Sequence, residues 1–388
     1  MDIRALEHSP IGSLVSISGT DPRTMERYDH FAFLPDPLPD RISLEQETWG
    51  CVAAAARSMG QLKQVCAHLP NPRLLIAPAL AKEAQATSAL EGTVGALPEV
   101  LESRLPGFEP RTPEIREING YERMARLGFE WVIDRPITVA MLCDLQKVLA
   151  EASQKRPPDP GRLRTHQVAI GPEGCSVPEA RFVPPPPGDH LQAGLDAWQK
   201  WINTDHGLDP IVAAALAHYQ FETLHPFGDG NGRVGRLVIL LQFLRSGLIE
   251  TPAFTISAWL LRRRDAYQSG LFAVSSTGAW DPWVEFFALA VKEQCDRHVS
   301  VAAQLLEWQG RIRQILNSRR WTGNIIDVAE ELIDWPIITA SVVQSNHGVS
   351  NPTAQRSIDR LVEVGALQEL TGGRYARIYG ATEVMALV

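Results

Sequence analysis

Through most of the chain, apolar residues recur at intervals near 3.6, and alternating runs are rare. That pattern predicts a mainly α protein. Trp49, Val52, Ala56, Met59, Leu62 and Val65 mark a helix over 43–68, which Pro70-Asn71-Pro72 ends. A second helix is expected over 80–90, with Gly92 free to supply a left-handed cap. Helical spacing continues over 114–128, 138–152 and 188–204, with Pro110, Pro113 and Pro136 near helix starts. Asp209-Pro210 reads as an N-cap and a first-turn proline. The helices it predicts over 211–223 and 234–244 are apolar on most faces and should be buried. Further helices are expected over 260–272 and 283–309.

Strand signals are fewer. Residues 167–170 and 180–183 flank Gly171-Pro172-Glu173-Gly174 and predict the one hairpin before the carboxy-terminal end, stopped by four prolines at 184–187. Residues 1–45 are rich in Pro, Asp and Ser, and Pro35-Asp36-Pro37-Leu38-Pro39 argues there for an extended arm without regular structure. Beyond a charge-rich stretch at 311–320, the pattern is helix, short helix, a helix opened by Ser350-Asn351-Pro352-Thr353, then strands over 366–370 and 374–379. That order resembles a small winged helix-turn-helix. The expected division is 1–92 for the arm and first helices, 93–311 for a central core, and 312–388 for the winged-helix unit.

A chain of 388 residues supports two or three compact units. With 45% hydrophobic and 21% charged residues it has the composition of a globular protein, and its net charge of −8 repels nucleic-acid backbones. Five cysteines, an odd number with no C-x-x-C pair, read as reduced thiols. Met1-Asp2-Ile3-Arg4 opens no signal peptide, and no run reaches the roughly 18 apolar residues of a membrane span. A cytoplasmic protein without a membrane partner is expected.

The chemistry concentrates in Thr223-Leu224-His225-Pro226-Phe227-Gly228-Asp229-Gly230-Asn231-Gly232-Arg233-Val234-Gly235-Arg236. Glycines let backbone N–H groups turn inward as an anion nest, and the helix that follows adds its positive end, so a polyphosphate is the natural ligand. The Asp229 carboxylate can hold Mg²⁺, and Arg233 and Arg236, one turn apart, can grip phosphate oxygens. His225 stands at the lip, where Pro226 disfavours helical backbone, and its imidazole can take a proton from a hydroxyl. Gly230 to Gly235 also satisfies G-x-G-x-x-G, but a helix rather than a strand precedes it, and no Gly-Lys pair exists to form a P-loop.

His225 to Arg236 resembles the Fic-domain adenylyltransferase signature, H-P-F-x-[D/E]-G-N-G-R-x-x-R, at every defined position. The resemblance implies a Fic-fold helical core with a β-hairpin flap, and transfer of AMP from ATP to a Ser, Thr or Tyr hydroxyl of a target protein or of the enzyme itself. In it His225 is the base, Phe227 anchors the loop, Asp229 binds Mg²⁺, and Gly230, Asn231, Gly232 and Gly235 belong to the nucleotide site. Arg233 and Arg236 hold the β and γ phosphates. The hairpin, through Val168, Ala169, Ile170 and Gly171, is similar to the flap that pins the target by β-augmentation. Arg264-Asp265-Ala266-Tyr267-Gln268 is similar to an adenine-side element reading Arg-x-x-Tyr-Tyr, from which Gln268 departs. Thr87-x-x-x-Glu91-Gly92 fits a second family motif, [S/T]-x-x-x-E-[G/N], which implies an inhibitory helix whose Glu91 pairs with Arg236.

Gly232 argues against a phosphotransferase branch that carries Lys there. Removal of AMP from a modified target, with Glu91 positioning water, stays open, as does transfer of another nucleotide moiety. A rival of another class is a DNA-binding regulator. Residues 319–388 hold six arginines against eight acids, so DNA is disfavoured and the winged helix is expected to dock a target or to dimerise.

Overall fold

The computed structural model describes residues 1–21, 25–68, 75–153, 159–172, 174–371 and 377–387. The chain is mainly helical, as the periodicity requires. After a short helix α1 (Ile3–Leu6), the strands β1 (Gly12–Thr20) and β2 (Arg27–Pro35) pair antiparallel, with Gly12 opposite Pro35. This corrects the expectation of an arm without regular structure. The prolines that argued against strand all lie at or beyond residue 35, while Val15 and Ile17 alternate with exposed Ser16 and Ser18.

The helices fall where the spacing placed them, most of them longer. α2 (Gln46–His68) packs along α12 (Trp280–Ser318), with Ala55, Met59 and Leu62 buried on one helix and Val284, Phe287 and Val291 on the other. At its start the Thr48 hydroxyl lies 2.6 Å from Asp281 Oδ1 and 2.8 Å from Glu285 Oε1. α3 (Ile76–Leu90) is buried on most faces and ends at Glu91, followed by Gly92 at φ +90°. α4 (Leu97–Glu102) leads to α5 (Pro113–Val132), capped by Thr112, and α6 (Val139–Ala152), capped by Thr138. α7 (Asp189–Ile202) covers α8 (Pro210–Leu224), whose Asp209 cap accepts from the Ile211 N–H at 2.8 Å. α8 and α9 (Asn231–Arg245) are buried almost throughout, form the centre of the core, and hold the glycine-rich loop between them.

Two helices differ from expectation. The segment expected as one helix over 260–272 is split into α10 (Ser257–Arg262) and α11 (Arg264–Thr277), because Arg263 leaves helical geometry at φ −125°, ψ 33°. α12 runs unbroken through residue 312, with Ile312 and Leu316 buried. It leads to α13 (Asn324–Glu331), β3 (Ile337–Ile338), α14 (Ala340–His347), α15 (Asn351–Glu363), β4 (Gln368–Glu369), β5 (Tyr379–Gly380) and α16 (Thr382–Leu387). The three short strands form an antiparallel sheet in the order β3-β5-β4. Of the strand expected over 374–379, residues 374–376 lie outside the described residues.

Among the described residues the hairpin expected over 167–183 is short, with Ile170 and Phe182 exchanging backbone bonds at 2.9 and 3.0 Å. Val183 instead accepts the Phe33 N–H of β2 at 2.9 Å, and the Phe33 and Phe182 rings meet edge to face at 5.8 Å. Ala32, Val177, Ala180 and Val183 share a small core with Val15 and Ile17. The amino-terminal hairpin therefore supports the flap.

Candidate active site

His225 is the C-cap of α8 and takes the left-handed conformation, φ 48°, ψ 62°, held by its own N–H to Phe221 O at 3.0 Å. This turns the chain out of the helix and sends the imidazole toward the loop. Nδ1 faces the Glu222 carbonyl at 3.3 Å. A carbonyl can only accept, so Nδ1 carries the proton and Nε2 keeps its lone pair. Burial, and then the Arg164 charge, push the ring down to about 4, so it is neutral at pH 7.

The loop is braced from inside. The Phe227 N–H donates to Asn231 Oδ1 at 2.7 Å, and Asn231 Nδ2 donates back to the Phe227 carbonyl at 2.7 Å. The Asn231 side chain, expected on phosphate, is spent on this bracket, and Phe227 is buried as expected. Gly230 stands at φ +85° at the N-cap of α9. Asp229 is half exposed at the mouth, 3.3 Å from Arg233 Nη2.

Both arginines are buried and already paired. Arg233 donates through Nη1 to Glu117 of α5, whose carboxylate also receives the Thr93 and Ser153 hydroxyls. Arg236 donates through Nε to Thr87 Oγ1 at 2.7 Å and through Nη2 to Glu91 Oε1 at 2.6 Å. Burial would push the Glu91 carboxyl up, but the Arg236 guanidinium outweighs it and holds it below the usual carboxylate range. Thr87 and Glu91, 149 and 145 residues from Arg236, are thus brought onto it as the motif implied.

The Glu91 carboxylate sits against the backbone of Gly232, in the first turn of α9, where a helix start attracts anions. A methyl group on Gly232 would overlap Glu91 Oε1 and lie 2.8 Å from Arg236 Nη1. Gly232→Ala is therefore expected to cost about 1–3 kcal/mol, read as a melting temperature several degrees lower, and to cost much less in a Glu91→Gly background. Equal losses in both backgrounds would locate the crowding elsewhere. A methyl group on Gly235 would likewise crowd Glu222, 2.5 Å from Oε1.

A cleft of about 400 Å³ opens near the end of α8, lined by Ile170, Gly171 and Arg181 of the flap, Glu222 and Thr223 of α8, and Arg264 and Gln268 of α11; His225 is not in its lining. Arg181 crosses its mouth, donating to Gln268 Oε1 at 2.7 Å and to Ser269 Oγ at 3.0 Å. Val168 and Ala169 are half-buried behind it. Tyr267 is not in this lining. It is buried, its hydroxyl 2.8 Å from His218 Nε2. His218 Nδ1 faces the Gly235 carbonyl at 3.3 Å, so Nε2 accepts and the tyrosine donates.

Three residues escaped the sequence reading. Glu117 carries a signal, since it lies on the buried stripe of α5 with Gly120, Tyr121 and Met124. Glu222 is an acid in a mostly apolar helix; burial pushes it up to about 7, and its Oε1 has no hydrogen-bond partner among the described residues. Arg164 carries no local signal. Buried, it donates to the carbonyls of His225 at 2.8 Å, His166 at 3.3 Å and Pro185, tying the flap region to the glycine-rich loop.

Two family models match the chain: Fic/DOC family N-terminal over residues 49–130 and Fic/DOC family over 136–243. Residues 49–130 and 136–243 are therefore similar to the two parts of the Fic/DOC family. It is 29% identical over 226 residues to the Protein adenylyltransferase Fic of Drosophila ananassae, covering 56% of this chain and 41% of that one. With the Protein adenylyltransferase Fic of Drosophila yakuba it is 30% identical over 210 residues, covering 53% and 38%. The chain thus spans about two fifths of the length of these relatives. Among solved structures, a Fic family protein from Desulfovibrio desulfuricans G20 superposes with a TM-score of 0.54 at 20% identity, covering 87% of this chain and 97% of that one. Fic-1 (residues 134–508) from C. elegans gives 0.51 at 22%, covering 66% and 74%. These show the Fic fold, and α8, the loop and α9 lie inside the matched Fic region.

Proposed function

We propose that this Fic protein is a protein adenylyltransferase, transferring AMP from ATP to a hydroxyl of a target protein and of itself, and that Glu91 holds it inhibited. The supporting observation is the Glu91 carboxylate on Arg236 at the start of α9, 2.6 Å from Nη2, occupying an anion site beside a neutral imidazole. In the active state the phosphates replace that carboxylate. His225 Nε2 takes the hydroxyl proton, the oxygen attacks the α-phosphorus, and the bond to the β-phosphate breaks, so that pyrophosphate leaves. Arg233 and Arg236 carry the departing charge. Among the described residues no group of three or more His, Cys, Asp or Glu side chains could hold a metal. Mg²⁺ needs only one or two carboxylates when phosphates supply the rest, and half-exposed Asp229 fits as that ligand. Bound there, the ion would neutralise phosphate charge.

The flap segment around Ile170 would align the target backbone, and the cleft by Gln268 would take the base, with Arg181 gating it. Residues 312–388 form a winged-helix unit that docks a target or a second copy, and the protein works in the cytoplasm. The chain is incubated with ATP, with other nucleotides and with a cell lysate, and intact masses are measured; the expected gain is one AMP per modified hydroxyl from ATP alone. A gain of phosphate only would overturn the reading.

The low His225 value adds a second test. A base with its pKa lowered from 6.5 to about 4 is competent at every pH above about 4. The kcat/KM of the Glu91→Gly protein is expected to stay level from pH 7 to 5 and to fall near 4. Half-loss near 6.5 would show a solvated imidazole.

A further inference from the structure

The likeness to Arg-x-x-Tyr-Tyr implied that Tyr267 lies at the adenine, yet the residue is buried in the core, outside the lining of the cleft. Its ring packs on His218, stacked at 5.9 Å, and on Trp283 at 6.1 Å. Its hydroxyl meets two groups. One is His218 Nε2, at 2.8 Å, and the other is the Arg236 guanidinium, which hydrogen-bonds it.

The direction of each bond is fixed. The Gly235 carbonyl can only accept, so His218 Nδ1, 3.3 Å away, carries the proton of the ring. Burial, and then the Arg236 charge, push His218 down to about 3, so the ring holds no second proton and Nε2 accepts. Tyr267 therefore gives its one proton to His218. A guanidinium has only donors, and the tyrosine oxygen, its proton spent, turns its lone pairs to Arg236. Gly235, the residue before Arg236 on α9, anchors the far end of this chain of bonds.

Every other hydrogen bond of Arg236 among the described residues goes to α3 and its cap: Nε to Thr87 Oγ1 at 2.7 Å, and Nη2 to the Thr87 carbonyl at 3.1 Å and to Glu91 Oε1 at 2.6 Å. The last of these is lost once a phosphate takes the place of Glu91. We infer that Tyr267 and His218 are a positioning pair for Arg236, holding the guanidinium from α11 and α8 so that it keeps its aim when a terminal phosphate replaces Glu91. The tyrosine thus acts on the phosphate end of the nucleotide and not on its base. This rests on the reading of Arg236 as a phosphate ligand.

ATP with Mg²⁺ and AMP are titrated calorimetrically against the Glu91→Gly protein with and without Tyr267→Phe, and AMP transfer is followed in the same samples. The substitution removes one oxygen and keeps the ring on Trp283. AMP affinity is expected to stay within about twofold, while ATP affinity and transfer fall about tenfold, the worth of a charge-assisted hydrogen bond. His218→Phe should give the same split, and the two changes together no more than either alone, because both act through one bond; if His218→Phe does not fold, Tyr267→Phe decides. Melting temperatures taken alongside separate this split from a general loss of packing, which would weaken both nucleotides. An equal loss for ATP and AMP, or an unchanged ATP affinity in Tyr267→Phe, would overturn the inference. A Glu91→Gly protein that binds ATP no more tightly than AMP would instead count against Arg236 as a phosphate ligand, and both readings would fall with it.

Discussion

Glu91→Gly is expected to raise AMP transfer, self-modification included, by roughly ten- to a hundredfold, since a charge-assisted hydrogen bond contributes about 1.5–3 kcal/mol and each 1.4 kcal/mol is tenfold. The contact removed is the 2.6 Å bond to Arg236, the guanidinium proposed to hold a terminal phosphate. Glycine is compatible with the end of α3, and the bonds from α10 to Glu83, two turns earlier, keep the helix docked. The rise is thus expected without a large fall in melting temperature. Labelled ATP, Mg²⁺ and lysate, followed by peptide mapping, measure it. An unchanged rate would show that Glu91 does not restrain the site.

His225→Asn, made in the Glu91→Gly protein, is expected to cut transfer by about 10²–10⁴, the usual worth of a general base. Asparagine is chosen because it tolerates the left-handed backbone at φ 48°. Alanine there would mix backbone strain with lost chemistry. Nucleotide affinity should change little, because the phosphates rest on the loop and the arginines. A variant that keeps most of its rate would show that the proton goes elsewhere.

The legible parts of this chain were those whose cause is local. Helix spacing, the Asp209-Pro210 start and the run from His225 to Arg236 are set within a few turns, so α8, the loop and α9 were readable, as was Glu91 through its short motif. The arm was misread because its clustered prolines outweighed the alternation at Val15 and Ile17. The flap hairpin is shorter than its pattern suggested, because past the Ile170–Phe182 pair the Val183 carbonyl turns to Phe33 of β2, more than a hundred residues earlier.

From its residues alone, the chain determined a mainly α architecture and the glycine-rich turn with His225 at its lip, since periodicity and capping act between near neighbours. Tertiary structure decided which charges meet. Arg233 finds Glu117 across 116 residues, Arg236 finds Glu91 across 145, and Arg164 collects carbonyls from three segments. A buried guanidinium must be satisfied wherever packing happens to supply oxygen, and nothing in its own neighbourhood of sequence says where that is.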